Sequence, residues 1–130
     1  MQLSGDDRAA ILDLVARYNM AHDTNDTDAW LDTFTDDALF ITGRSRSEGR
    51  DELRRFFTEG GERLPNVRHI TYNSVFEPVE GDTTRVRMRS DLLVFRADEP
   101  PVLVLTRRYL DTLRREGGEW RFERREITPD

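Results

Sequence analysis

The chain has 130 residues and a mass of 15.2 kDa, so we expect one domain over residues 1–130 and exclude a two-domain enzyme. Its 26 acidic and 20 basic residues give a formal charge of −6, which argues against nucleic acids and anionic membranes as partners. Every basic residue is Arg, Cys is absent and His occurs twice, which excludes lysine, thiolate and three-His zinc chemistry.

Two helices are predicted first. Ser4 is a typical N-cap, and apolar residues then recur at helical spacing, which predicts a helix over residues 5–23. Residues 25–28 combine a helix stop with a new cap and predict a short second helix that runs through Phe34 and ends at Asp36 and Asp37.

The pattern then changes from helical to strand-like. A short strand is predicted over residues 38–42, followed by a polar turn over 43–47 and a third helix from Arg50 to about Glu59, ended by Gly60 and Gly61. The remaining strands are predicted over residues 67–79, 83–96, 102–114 and 119–127. The fold class is therefore α+β, with the order α-α-β-α-β-β-β-β: three helices packed on a strongly curved, mostly antiparallel sheet that forms a cone around an internal pocket.

The absence of a long apolar run and of a leader pattern after Met1 leads us to expect a cytoplasmic protein. Because helices packed on a curved sheet enclose a pocket with apolar walls and a few polar groups, we look for function in small-molecule chemistry inside that pocket.

His69 is the first candidate for that chemistry. Strand alternation places His69, Thr71 and Asn73 on one face, so His69 and Asn73 are expected to line one wall. An imidazole titrates near neutral pH and suits a general acid or base, especially beside a carboxylate. The alternative is a structural histidine whose hydrogen bonds are satisfied within the strand.

The end of the first helix carries three further candidates. Asp23 at a helix C-terminus is disfavoured by the helix dipole, so it has either a pairing partner or a role, or it is a solvated helix end. Tyr18 and Asp23 point about 140° apart on an ideal helix and share a pocket only if the helix frays. His22 follows Tyr18 at i+4, which makes it a second proton-transfer group or a polar tip at the rim of the core.

Asp91 lies on a strand face that changes from cationic to apolar. If this face is turned into the pocket, desolvation raises the pKa of Asp91 and makes it a base. If it is turned outward, Asp91 pairs with Arg89 or Arg107. On the last two strands, Arg107, Tyr109 and Asp111 share a face, and a bulge decides whether Arg124 or Arg125 points inward.

The succession of motifs resembles the SnoaL-like proteins of the nuclear-transport-factor-type cone fold, which include scytalone dehydratase, bile-acid dehydratase and polyketide cyclases. The motifs are Tyr-x4-Asp at Tyr18, Ala-Trp-x3-Phe-x-Asp-Asp-Ala around Trp30, Gly-x-Asp-Glu-Leu at Gly49, Arg-His-x3-Asn at Arg68, Tyr-x-Asp at Tyr109 and Trp-x-Phe-x2-Arg at Trp120. The resemblance covers nearly the whole chain.

The resemblance implies catalytic roles for Tyr18, Asp23 and His69, with Asp91 at the position of a strand aspartate that does acid/base work in cyclases. The residues expected to contact the substrate are His22, Trp30, Asn73, Arg89, Arg107, Tyr109 and Arg125. Together these imply a dehydratase, cyclase or isomerase that needs no cofactor or metal and acts on a hydrophobic small molecule such as a polyketide or another natural-product intermediate.

Two alternatives stay open. Arg89-Ser90-Asp91 matches an Arg-x-Asp strand of limonene epoxide hydrolase, which implies an epoxide hydrolase or epoxide-opening cyclase. Cone-fold proteins also serve as non-catalytic small-molecule-binding or assembly domains. In each case the resemblance implies a homodimer, and the net negative charge argues against nucleic acid and membrane as partners.

Overall fold

The structure is a computed structural model that describes residues 3–43, 45–59 and 65–129. In chain order its elements are α1 (Gly5–Asp23), α2 (Thr27–Leu31), β1 (Phe34–Thr42), β2 (Ser45–Glu48), α3 (Gly49–Glu59), β3 (Val67–Val79), β4 (Asp82–Arg96), β5 (Val102–Glu116) and β6 (Glu119–Thr128). The predicted α+β class is confirmed, and no helix among these residues is long and apolar enough to cross a bilayer.

Helix α1 has the predicted bounds. The Ser4 hydroxyl accepts a hydrogen bond from the Asp7 amide at 3.0 Å, which satisfies one of the free N–H groups of the first turn. Ile11, Leu14 and Tyr18 recur at helical spacing, and all three side chains are buried. The apolar stripe of α1 therefore faces the core along its length.

Helix α2 is shorter than predicted, because Phe34 begins a strand. The residue before Phe34, Thr33, accepts a hydrogen bond from the Phe122 amide at 2.8 Å through its carbonyl. Phe34 itself pairs with Phe122 of β6, and the two rings are 5.7 Å apart. Pairing with a strand almost ninety residues away thus outweighs the local helical pattern.

The polar turn predicted over residues 43–47 contains a further strand. Strand β2 pairs antiparallel with β1 from Leu39 opposite Glu48 to Thr42 opposite Ser45. Its sequence, Ser-Arg-Ser-Glu, lacks the apolar alternation that marks a half-buried strand, and only Ser47 is buried. The predicted end of α3 at Gly60 and Gly61 lies outside the described residues.

One mixed, mostly antiparallel sheet carries all the described strands. The strand order is β2-β1-β6-β5-β4-β3, and β1 and β6 form its parallel pair. The helices pack on one face of the sheet, where side chains from α1 and α3 join those of the strands in the main core cluster. On β4 the even-numbered residues Val86 to Val94 are buried in that face, which fixes the odd-numbered ones as outward-facing.

Candidate active site

Asp23 and His69 form a close carboxylate–imidazole pair. His69 Nδ1 lies 2.6 Å from Asp23 Oδ1, and the His69 backbone N–H is within hydrogen-bond distance of both carboxylate oxygens, at 3.2 and 3.0 Å. The exposed fractions of the two side chains are 11% for His69 and 19% for Asp23. Since the carboxylate accepts a hydrogen bond from Nδ1–H, the lone pair of the neutral ring lies on Nε2, where it can accept a proton.

The pair forms because the end of α1 packs against β3. One turn before Asp23, the Asn19 side-chain amide donates to the Thr71 hydroxyl at 3.1 Å, so two contacts join the same helix to the same strand. Helix α1 does not fray, and it continues through Asp23 to a C-cap at Thr24. The unfavourable position of Asp23 at a helix C-terminus is therefore explained by its pairing with His69.

His22 lies beside this pair. Its ring centroid is 4.1 Å from that of His69 and 6.4 Å from that of Tyr18. The ring of Phe57 approaches His22 edge-on at 5.7 Å. Phe57 was not among the residues predicted for the site, although its position four residues after the buried Leu53 in α3 marks it as core-facing.

Tyr18 lies deeper in the molecule than the site prediction implies. Its side chain is 1% exposed, among Trp30, Phe34 and other rings, and its ring is 4.2 Å from the Arg125 guanidinium carbon. Burial raises the pKa of the Tyr18 hydroxyl, and the charge of Arg125 opposes that rise. Tyr18 is thus a core residue whose ring packs between that of His22 and the buried Arg125.

Arg125, and not Arg124, points inward. A register shift between Thr112 and Leu113 sets Arg125 opposite Asp111, and Arg125 Nε lies 3.2 Å from Asp111 Oδ1 with both side chains fully buried. The guanidinium carbon is 3.5 Å from the Tyr109 ring and 4.2 Å from the Phe122 ring. Burial raises the pKa of Asp111 to about 7, and the adjacent guanidinium works against that rise.

Of the two orientations left open for Asp91, the structure shows the outward one, which separates Asp91 from the cluster around His69. Asp91 is an odd-numbered residue of β4 and lies on the outer face of the sheet, where it accepts hydrogen bonds from Asn73 Nδ2 at 3.1 Å and Arg108 Nε at 3.3 Å. The ion-pair alternative is correct in kind, but the partner is Arg108 instead of Arg89 or Arg107. Arg89 is likewise on the outer face and pairs with Glu77 at 2.8 Å.

Asn73 does not line a wall with His69. A bulge lies between Tyr72 and Val75, and Asn73 has a positive φ of 55° within it. The extra residue reverses the alternation of β3, so Asn73 joins Asp91 on the outer face while His69 and Thr71 stay on the helix side. Alternation alone could not reveal this bulge.

The other predicted contact residues lie on the inner side of the sheet or in the core. Trp30 is fully buried and stacks on Phe57 at 4.6 Å, and Tyr109 is 1% exposed against Arg125. Arg107 is half-buried and donates to the Thr106 carbonyl at 2.7 Å. Of all the predicted site residues, the structure thus brings together His69, Asp23 and His22. Tyr18 contacts only the His22 side of this cluster from within the core, and Arg125 and Tyr109 pack against Tyr18.

The fold and this cluster define an α+β protein with a histidine–carboxylate pair between its first helix and its sheet. Residues 4–126 match the SnoaL-like domain family, so the chain belongs to that family. The fold is the nuclear-transport-factor-type fold, as the sequence resemblance implied. No curated protein matches the chain.

Three solved structures illustrate the similarity. A protein of unknown function from Nostoc punctiforme, with a cystatin-like fold, is 27% identical with a TM-score of 0.88, over 100% of this chain and 96% of that one. A proposed aromatic ring hydroxylase from Novosphingobium aromaticivorans is 30% identical with a TM-score of 0.83, over 98% and 91%. A proposed scytalone dehydratase from the same organism is 23% identical with a TM-score of 0.79, over 93% and 82%, a likeness that shows the fold alone.

Proposed function

We propose that this protein is a lyase or isomerase that uses His69 as its general base, with Asp23 as the residue that positions it. The observation that carries the proposal is the 2.6 Å contact between Asp23 Oδ1 and His69 Nδ1, reinforced by the hydrogen bonds from the His69 backbone to the same carboxylate. These contacts fix both the orientation and the tautomer of the ring, which are the two properties that a positioned base requires.

The chemistry that fits is proton removal from an activated carbon. Nε2 of His69 takes the proton, Asp23 stabilises the imidazolium that forms, and the electron pair of the broken C–H bond forms a double bond as hydroxide departs. His22, whose ring lies 4.1 Å from that of His69, is placed to donate the proton that turns this hydroxide into water. Intramolecular cyclisation begins with the same proton removal, so the substrate class is a hydrophobic molecule with an acidic C–H group, such as a polyketide intermediate.

The outward position of Asp91 bears on epoxide opening. That alternative needs the carboxylate of Arg89-Ser90-Asp91 beside the substrate, yet Asp91 is hydrogen-bonded to Asn73 and Arg108 on the outer face of the sheet. We therefore favour Asp23 and His69 as the reacting pair.

Nitrogen-detected NMR of the two imidazoles tests the pair without a substrate. We expect the neutral His69 ring to carry its proton on Nδ1 and to lose this preference in Asp23→Asn, because an amide accepts the Nδ1–H bond less strongly than a carboxylate does. Asp13→Asn is the matched control, since Asp13 is in the same helix and forms an exposed pair with Arg17. A His69 signal that is the same in all three proteins would contradict the dyad and favour a non-catalytic binding or assembly domain.

We also propose that the outer face of the sheet associates with a second copy of the chain. Ile70, Tyr72 and Val75 of β3 and Leu110 of β5 are exposed there, at 37–49% of their possible area. Light scattering is expected to give twice 15.2 kDa for the native chain. Val75→Glu should shift the mass towards one chain, whereas Leu12→Glu, at an equally exposed leucine on α1, should not. A native mass of one chain would exclude the dimer.

A further inference from the structure

The cluster of His22, Asp23 and His69 has the composition of a metal site. Each of these side chains offers one ligand atom, and the three atoms lie within 4.8 Å of one another. Two imidazoles and one carboxylate suit a divalent transition metal ion such as Zn²⁺, with water completing the coordination. The chain's two histidines exclude a three-His site, but the fold supplies the third ligand from Asp23.

We propose that His22, Asp23 and His69 bind a divalent transition metal ion, which takes the place of the proton shared by Asp23 and His69. Bonds from Zn²⁺ to nitrogen and oxygen are about 2.0–2.2 Å long, so Oδ1 and Nδ1, now 2.6 Å apart, need to separate by less than about 1 Å. The ligand atom of His22, which lies within 4.8 Å of the other two, must also approach, so the proposal requires rotation of all three side chains.

The surroundings favour a cation at this position. Asp23 is the last residue of α1, where the helix dipole is negative and an additional carboxylate is disfavoured. A divalent ion at this point interacts favourably with both the carboxylate and the helix terminus. The side chains of Asp23 and His69 are only 19% and 11% exposed, so water screens the interaction less than at an open surface.

Metal binding would change the chemistry of the site. A metal ion on Nδ1 of His69 places the ring proton on Nε2, the atom that must accept a proton from the substrate. The metal-bound protein therefore lacks the base, and the ion acts as a reversible inhibitor. Binding of the ion is independent of the proposed function, whereas inhibition rests on it.

Isothermal titration of the tag-free chain with Zn²⁺ tests the site directly. We expect one ion per chain, and we expect His22→Asn and Asp23→Asn each to weaken binding at least about tenfold, because each removes one ligand. Asp13→Asn is the control for adventitious binding to acidic surface groups, and it should leave the affinity unchanged. If His22→Asn does not fold, His22→Gln replaces it, and broadening or shift of both imidazole NMR signals by Zn²⁺ provides a readout on the native protein.

Two results would overturn the metal site. One is a Zn²⁺ dissociation constant above about 1 mM for the native chain. The other is binding that is equal in the native chain, His22→Asn and Asp23→Asn. Neither result affects the tautomer experiment on His69 in metal-free buffer, so the metal site and the acid/base pair can fail separately.

Discussion

Asp111→Asn is expected to lower the free energy of unfolding by about 3–5 kcal/mol, because it leaves the buried Arg125 guanidinium without a counter-charge. Arg125 cannot escape the cost by losing its proton, since a guanidinium stays charged in proteins. The surrounding rings of Tyr18, Tyr109 and Phe122 attract the cation but carry no net charge. Urea denaturation at pH 8, above the pKa of about 7 at which Asp111 ionises, followed by circular dichroism, measures the change.

Arg125→Met removes the other member of the pair. We expect it to lower the free energy of unfolding less at low pH than at high pH. Burial already raises the pKa of Asp111 to about 7 from an ordinary value of 3.8, and removal of Arg125 takes away the charge that opposes this rise. The folded state then binds more protons than the unfolded chain between about pH 4 and the folded pKa of Asp111, so the stability of Arg125→Met falls as the pH rises across this interval and levels off above that pKa. Denaturation at pH 5 and pH 8 tests this ordering.

Two further proteins complete the comparison. Asp13→Asn, at an exposed i,i+4 pair, should change stability by less than about 0.5 kcal/mol. Asp111→Leu combined with Arg125→Met removes both charges and should be more stable than Asp111→Asn alone. If the free energy of unfolding of Asp111→Asn were within about 1 kcal/mol of the native value, Asp111 would not be needed as the counter-charge of Arg125.

Asp23→Asn and His69→Gln are each expected to lower kcat by about 10²–10⁴-fold on a substrate that the native chain dehydrates or cyclises. The first loses the group that sets the tautomer of His69, and the second loses the base itself. Because Asp23 acts through His69, its variant should change kcat more than KM and should change the His69 tautomer as well. The measurement is steady-state kinetics in metal-free buffer.

Asp13→Asn again serves as the matched carboxylate control and should keep native kinetics. Far-UV circular dichroism of all variants separates a loss of chemistry from a loss of fold. A decrease of less than about threefold in both Asp23→Asn and His69→Gln, with the fold intact, would remove this pair from the mechanism.

Much of the fold follows from local sequence patterns. Ser4 and the apolar spacing of α1 determine a helix whose bounds match those observed, and β3 runs over the predicted residues because its alternation is long. The departures occur where pairing overrides local preference. Phe34 extends β1 because β6 offers it a partner, and β2 is a strand only because β1 lies beside it.

The residues of the candidate site also fall into those that local patterns could reveal and those that only packing could reveal. His69 and Asp23 were candidates from residue type and position, because an imidazole and a misplaced helix-end carboxylate each have a recognisable chemistry, and the family resemblance implied their catalytic roles. Asn73 was assigned to the wrong face, since a single extra residue in a β3 bulge reverses the alternation on which the assignment depends, whereas the orientation of Asp91 was left open and only the packing of β4 decided it. Phe57 was missed because its contact with His22 crosses between α1 and α3.

The sequence by itself determined the α+β class and most of the elements, the exclusion of lysine and thiol chemistry and the identity of the ionisable candidates, since these depend on composition and short-range spacing. Only the tertiary structure decided which of these groups meet. The 2.6 Å contact of Asp23 with His69, the approach of His22 and the burial of Arg125 against Asp111 each join residues from different elements. Their distances are set by helix packing and strand register, which no local pattern contains.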